Sequence, residues 1–424
     1  MGGIQIRSKD NAHASKYGFI YLQPNSESYY PGDQVTGTVY LELHSRFPGK
    51  TIQIALKGKE KIWFQNPANP EKVSSEKSIV FDKTFVLYTE SKGEELEAGQ
   101  YEFPFSFLLP ENIPGTFQHV ETRLAACVKY SLSASLLAAS SDKAYVLRYD
   151  RPFLVHDTRM RVEDAASTFP IPVRGCFSCI NHGVSIIDIA LNKTAYLPSD
   201  EVKMRLDINN TKCSRAISSV LMELRHHISL KCNTVTQTRN YVIAQKSTEG
   251  TRPYQQPEPK EITFLLPKVP LADPYETFKF EKLRDKALEN RDELGCSSNG
   301  LLIKSEFFIE LTVNFDGLFG ENAQKVSVPL QVLHTNFNYP NLETPKGWKP
   351  KQSPVKTLPL SANAKYAQLY TSGRLKSTSY SGDFTRREFS MEVRGSKQHS
   401  GNMHQASGNY MLLEDKPNTS FRVT

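Results

Sequence analysis

Long stretches of the chain alternate strictly between apolar and polar residues. Val35, Val39, Leu41 and Leu43 interleave with Thr36, Thr38, Tyr40 and Glu42. Ile52, Ile54 and Leu56 continue the pattern, as do Val128, Tyr130, Leu132, Ala134 and Leu136. Later, Val202, Met204, Leu206 and Ile208 alternate with Lys203, Arg205 and Asp207. Ile309, Leu311, Val313 and Phe315 alternate with Glu310, Thr312 and Asn314. A period of two gives each strand one buried face and one wet face, as in stacked antiparallel sheets. Pro-Gly, Asn-Pro and Gly-Lys turns at short intervals predict a sandwich rather than an α/β fold.

The pattern is duplicated. Tyr30-Pro31-Gly32-Asp33-Gln34-Val35 leads into one alternating strand, and Tyr196-Leu197-Pro198-Ser199-Asp200-Glu201-Val202 into another. Phe107-Leu108-Leu109-Pro110 returns as Phe264-Leu265-Leu266-Pro267, again at a strand end, and a long alternating strand follows each. In both turns proline fixes φ, Gly or Ser makes the corner, and the acid bonds to local backbone. Three matches in the same order predict an all-β chain of two tandem antiparallel β-sandwiches. The expected layout is a flexible N-terminus over 1–14, sandwiches over 15–165 and 166–335, and a disordered basic tail over 336–424. Residues 275–294, crowded with charge between Pro274 and Gly295, predict a short exposed helix or mobile excursion inserted in the second half.

Charge and composition narrow the function. Of the 424 residues 39% are hydrophobic and 23% charged, enough for packed cores. The tail from Asn336 holds 13 Lys or Arg against 6 Asp or Glu, so it carries the whole +7 and the body is neutral. A neutral body argues against a nucleic-acid-binding domain, and a tail rich in Ser, Thr, Tyr, Lys and Gly predicts disorder. Six cysteines are too sparse for a disulfide framework, no run of about 18 apolar residues occurs, and the polar start lacks a signal peptide's apolar core. The expected setting is therefore the cytoplasm. Ile6 stands where a myristoylation signal needs Ser or Thr. Catalysis has no footing: there is no phosphate loop, no Gly-x-Ser-x-Gly elbow and no His-Glu-x-x-His motif. His226 and His227 fall at adjacent strand positions and so on opposite faces. No cofactor is expected.

These residues resemble the arrestin family, in its α-arrestin (arrestin-domain-containing) branch. The first half carries Tyr-Pro-Gly-Asp-x-Val-x-Gly at 30–37, the segment 58–63, Tyr-Glu-Phe-Pro-Phe-Ser-Phe-Leu-Leu-Pro at 101–110, Ile-Pro-Gly-Thr-Phe at 113–117 and Val-Lys-Tyr-Ser-Leu-Ser-Ala at 128–134. The second half carries Cys176 and Cys179 at its entry, then 184–198, Asn-Asn-Thr at 209–211 and the strand at 218–230. The resemblance implies a non-enzymatic adaptor that binds membrane receptor or transporter tails. It would link them to endocytosis, endosomal sorting or ubiquitination, peripherally at the plasma membrane or endosomes. Many α-arrestins recruit ubiquitin ligases through Pro-Pro-x-Tyr motifs; this chain has no Pro-Pro pair. The alternatives are a retromer-type sorting subunit and a cytoplasmic scaffold without membrane cargo.

The resemblance also implies phosphate-sensing basic residues on the first domain. Lys129 lies in the 128–134 motif, with Arg7, Lys9 and Arg123 as further candidates; the alternative is plain solvated strand edges. Cys176-x-x-Cys179-x-x-His182 is a weak zinc candidate, completed by Cys213 or Cys232; hinge thiols and acylated cysteines stay open. Three tail segments, Tyr339 to Leu342, Tyr366 to Leu369 and Tyr410 to Leu413, fit Tyr-x-x-bulky-apolar, a form in which an extended peptide could engage a clathrin adaptor. The tail's Lys and Arg contribute about 1 kcal/mol each near anionic lipid, which makes membrane contact another candidate. Trp63 and Phe64, at a loop base, are expected to be core.

Overall fold

Inward-facing Ile, Leu, Val and Phe at every second position drive the strands together, each fully buried side chain contributing roughly 1.5–3 kcal/mol. The structure, a computed structural model, describes residues 14–66, 69–91, 95–138, 145–158, 160, 165–175, 180–267, 280–289, 295–317, 323–335 and 347–371. Within them lie two antiparallel β-sandwiches belonging to one compact unit.

In the first sandwich one sheet runs Ala14–Ser15, Gly18–Pro24, Gln34–Leu43, Gly99–Leu108. The other runs Ser28–Tyr29, Tyr145–Val155, Leu124–Leu137, Thr51–Asn66, Asn69–Thr89, with Phe117–Glu121 added to Leu124–Leu137. The second sandwich repeats this plan. One sheet runs Ala166–Arg174, Asn181–Leu191, Glu201–Cys213, Lys260–Leu265; the other runs Ala195–Tyr196, Ala323–Val332, Ile303–Phe315, Ile217–Cys232, Val235–Thr251. Even the short parallel pairs recur: Tyr29 lies opposite Val155, and Tyr196 opposite Val332. The counterpart of Tyr196 is thus Tyr29, and Leu197 takes the place of Tyr30. Both tyrosines are buried, and burial pushes both hydroxyls up to about 12.

Two expectations need correction. The charged insertion contains the helix Phe280–Leu288, but it is not merely exposed. Leu283 and Ala287 are fully buried against Trp63, Val120, Ala125 and Cys127 of the first sandwich. The segment expected to be disordered is partly ordered. Lys351–Gln352 and Lys356–Leu358 both pair in parallel with Gly99–Leu108, and the helix Ala364–Thr371 follows. Trp348 Nε1 donates to Glu102 Oε1 at 2.7 Å, and Leu358 and Tyr366 enter the first core. Strand pairing and a few anchoring side chains hold this polar segment, and composition averages those side chains away. Among the described residues no helix is long and apolar enough to cross a membrane.

The long strand Ile217–Cys232 serves both cores. Val220, Met222 and Leu224 belong to the second; Ile228, Leu230 and Cys232 belong to the first. A register shift between Leu224 and Arg225 marks the change.

Candidate functional site

Strand Thr51–Asn66 is central, flanked by Leu124–Leu137 and Asn69–Thr89. Its even positions, Ile52, Ile54 and Leu56, face the core, so period two sends Lys57, Lys59 and Lys61 together to the outer face. Register adds to them: Lys129 lies directly opposite Lys59, and Lys77 opposite Lys61. Carboxylates pair with this row: Asp82 lies 3.9 Å from Lys57 and Glu281 3.9 Å from Lys61. The lysines strain one another. Lys129 is 5% exposed, and burial, with the charges of Lys59 and Lys61, lowers its ammonium to about 8. Lys59 is lowered by partial burial and then by Lys61, Lys77 and Lys57. Such a face favours an anion, which relieves the repulsion and forms charge-assisted hydrogen bonds. The docked helix closes one end: Lys61 Nζ sits 5.2 Å from the centre of the Phe280 ring.

Of the residues singled out from the sequence, Lys129 lies at this face. Arg123 lies in the turn before the same strand with φ +66, its amide donating to Ala287 O at 2.9 Å. Six residues separate it from Lys129, about 20 Å along an extended strand, so the two do not act on one group. Arg7, Lys9, Cys176, Cys179, Tyr339, Leu342, Tyr410 and Leu413 lie outside the described residues. His182 Nδ1 is 3.1 Å from Ser214 Oγ, and its Nε2 accepts from Arg215 Nε at 3.2 Å, so both ring nitrogens are engaged by protein. Cys213 and Cys232 are buried in different cores. Among the described residues no three His, Cys, Asp or Glu side chains are placed to share a metal ion. Tyr366 is helical and 0% exposed, which corrects its reading as an extended signal in this arrangement; the side chain of Leu369 is not among those described. Trp63 and Phe64 are buried, as expected. Lys57, Lys59, Lys61 and Lys77 were missed, although Lys-x-Lys-x-Lys on an alternating strand carries the signal.

The sandwiches meet through polar groups that the strands carry past their cores. Glu60 Oε2 accepts from Leu301 N and Leu302 N at 3.1 Å each and from the Tyr366 hydroxyl at 2.8 Å. Burial outweighs these bonds and raises the carboxyl to about 7. Gly300 makes room, since a Cβ there would stand 1.5 Å from Glu60 Oε1. At a second contact Arg239 Nε donates to both Glu121 oxygens at 2.9 and 2.8 Å, and Tyr241 donates its hydroxyl to Glu121 Oε2 at 2.9 Å. Burial pushes the Glu121 carboxyl up, but His119 and Arg239 outweigh it and hold it below its ordinary value. His226, stacked on Phe307 at 4.0 Å, is held neutral by burial.

Comparison with known proteins agrees with this architecture. Residues 19–153 match the family described as arrestin (or S-antigen), N-terminal domain, and residues 181–337 match the arrestin C-terminal domain. The chain is 26% identical over 257 residues to Arrestin domain-containing protein A of Dictyostelium discoideum, covering 55% of this chain and 42% of that protein. It is 25% identical over 225 residues to human Arrestin domain-containing protein 5, covering 51% and 63%. It is 23% identical over 253 residues to mouse Arrestin domain-containing protein 1, covering 59% and 55%. The matched segments thus span less than two thirds of each relative. With both arrestin domains matched in order on two β-sandwiches, the chain belongs to the arrestin family, in its α-arrestin, arrestin-domain-containing branch.

Proposed function

We propose that this protein is a non-catalytic adaptor at the cytoplasmic face of the plasma membrane or endosomes. It binds the tail of a receptor or transporter and directs that cargo into endocytic sorting. The row of Lys57, Lys59, Lys61 and Lys77 carries this reading, because it offers an acidic or phosphorylated cargo segment several accessible cations on one sheet face, with the buried Lys129 adding its charge rather than a contact. One exposed ion pair contributes only about 0.2–1 kcal/mol, so useful affinity needs several together. The test is binding of phosphorylated and unphosphorylated receptor-tail peptides to the chain and to a K57E/K59E/K61E variant. The phosphorylated peptide should bind more tightly, weaken with added salt, and lose at least about tenfold in the variant. Equal binding by both proteins overturns the reading, as does proximity labelling in cells that marks no membrane cargo.

A further inference from the structure

One sheet of each sandwich ends on the same strand. Gly99–Leu108 and Lys260–Leu265 both close with Phe-Leu-Leu followed by Pro, and each pairs with the strand leaving the Pro-x-Asp turn. The register is the same, Val35 opposite Phe107 and Val202 opposite Phe264. The flanking turns agree too: Leu109 N donates to Asp33 O at 3.0 Å, and Leu266 N to Asp200 O at 3.0 Å.

What differs is the cover. On the first edge Lys356, Thr357 and Leu358 run parallel, opposite Phe105, Ser106 and Phe107. Phe105 is then 1% exposed, Ser106 6% and Leu358 2%. On the second edge no described residue pairs with the outer side of Lys260–Leu265. Ile262 and Thr263, the counterparts of Phe105 and Ser106, are left only half-buried.

We propose that the outer edge of Lys260–Leu265 is a docking strand for an extended peptide of a partner protein. The peptide is added in parallel, with a polar residue opposite Thr263 and an aliphatic one opposite Phe264. Backbone bonding along an open edge supplies the attraction, and burial of the aliphatic residue beside Ile262 supplies the selectivity. The tail strand of this same chain is the template, since the two edges present equivalent backbone. The site is short. The positions of Tyr101 and Glu102, which hold Lys351–Gln352 on the first edge, fall at Glu258 and Pro259 on the second, and proline offers no amide donor. Binding is therefore confined to a few residues and is transient.

The probe is a synthetic peptide of residues 353–361, added to the full chain while amide hydrogen exchange is followed. A second peptide carries Leu358→Asp. The first should slow exchange at 260–265 at least about fivefold, and the second should not. No protection at 260–265 overturns the proposal. So does protection confined to 99–108, which is mere exchange with the tethered tail. Protection at 260–265 that rises with protein concentration in the absence of peptide means the occupant is a second copy of this chain, and also overturns it.

Discussion

Gly32 and Ser199 occupy the same corner of the two sandwiches, with φ +83 and φ +73. Glycine adopts this left-handed region freely, whereas a side chain there costs about 1 kcal/mol. A Cβ at Gly32 would meet nothing closer than Glu111 Cγ at 3.5 Å, so only the backbone resists. Gly32→Ser should therefore lower stability by about 1 kcal/mol and Ser199→Gly should raise it by up to about the same amount, read as opposite shifts in Tm. Glu60 supplies a pH dependence. Its folded value of about 7 lies above the ordinary 4.5, so the folded protein binds the proton more tightly. The stability associated with this group is full below pH 4.5, declines as pH rises to about 7, and is constant above. The loss is roughly 3 kcal/mol. Glu60→Gln should flatten that decline when thermal unfolding is compared between pH 5 and pH 8.

Helix Phe280–Leu288 and the returning tail are the elements that sequence patterning placed least well. The helix is short and mostly charged, and Leu283 with Ala287 is all that it buries, an i, i+4 pair too brief to announce a docking face. Leu283→Asp should release it and uncover Trp63. With Trp348 replaced by Phe, leaving Trp63 as the sole tryptophan, the emission should shift to the red. The tail depends on equally few contacts. Leu358→Ala should cost about 2–3 kcal/mol by emptying a buried seat. Tyr366→Phe should cost about 1–2 kcal/mol by removing one of the three donors to Glu60. The long strands were legible because a dozen alternating residues repeat one message. The lysine row was half-legible: its spacing along Thr51–Asn66 is visible in the chain, but the neighbours Lys77 and Lys129 join it only through register.

At the scale of the molecule, the contact between sandwiches is polar where it is specific and apolar where it is extensive. Ile228, Leu230, Leu302 and Ile303 of the second half complete the first core, while Arg239 and Tyr241 hold Glu121. Arg239→Gln with Tyr241→Phe takes away two of the groups that hold the Glu121 carboxylate, leaving His119, and should cost about 1–3 kcal/mol at neutral pH. The depressed carboxyl contributes stability above its ordinary 4.5 that is lost as pH falls through the folded value. The gap between variant and native protein should therefore narrow in calorimetric scans taken at low pH. By itself the sequence determined the strands, their two-fold repetition and the family, because alternation and turn chemistry are local and written residue by residue. Tertiary structure alone decided that cations from three strands share one face, that an inserted helix and a polar tail return to the first sandwich, and that one sheet edge is covered while its twin has no partner strand among the described residues. Those outcomes depend on which distant segments meet, and burial at single positions such as Leu358, Tyr366 and Leu283 leaves no period in the chain to read.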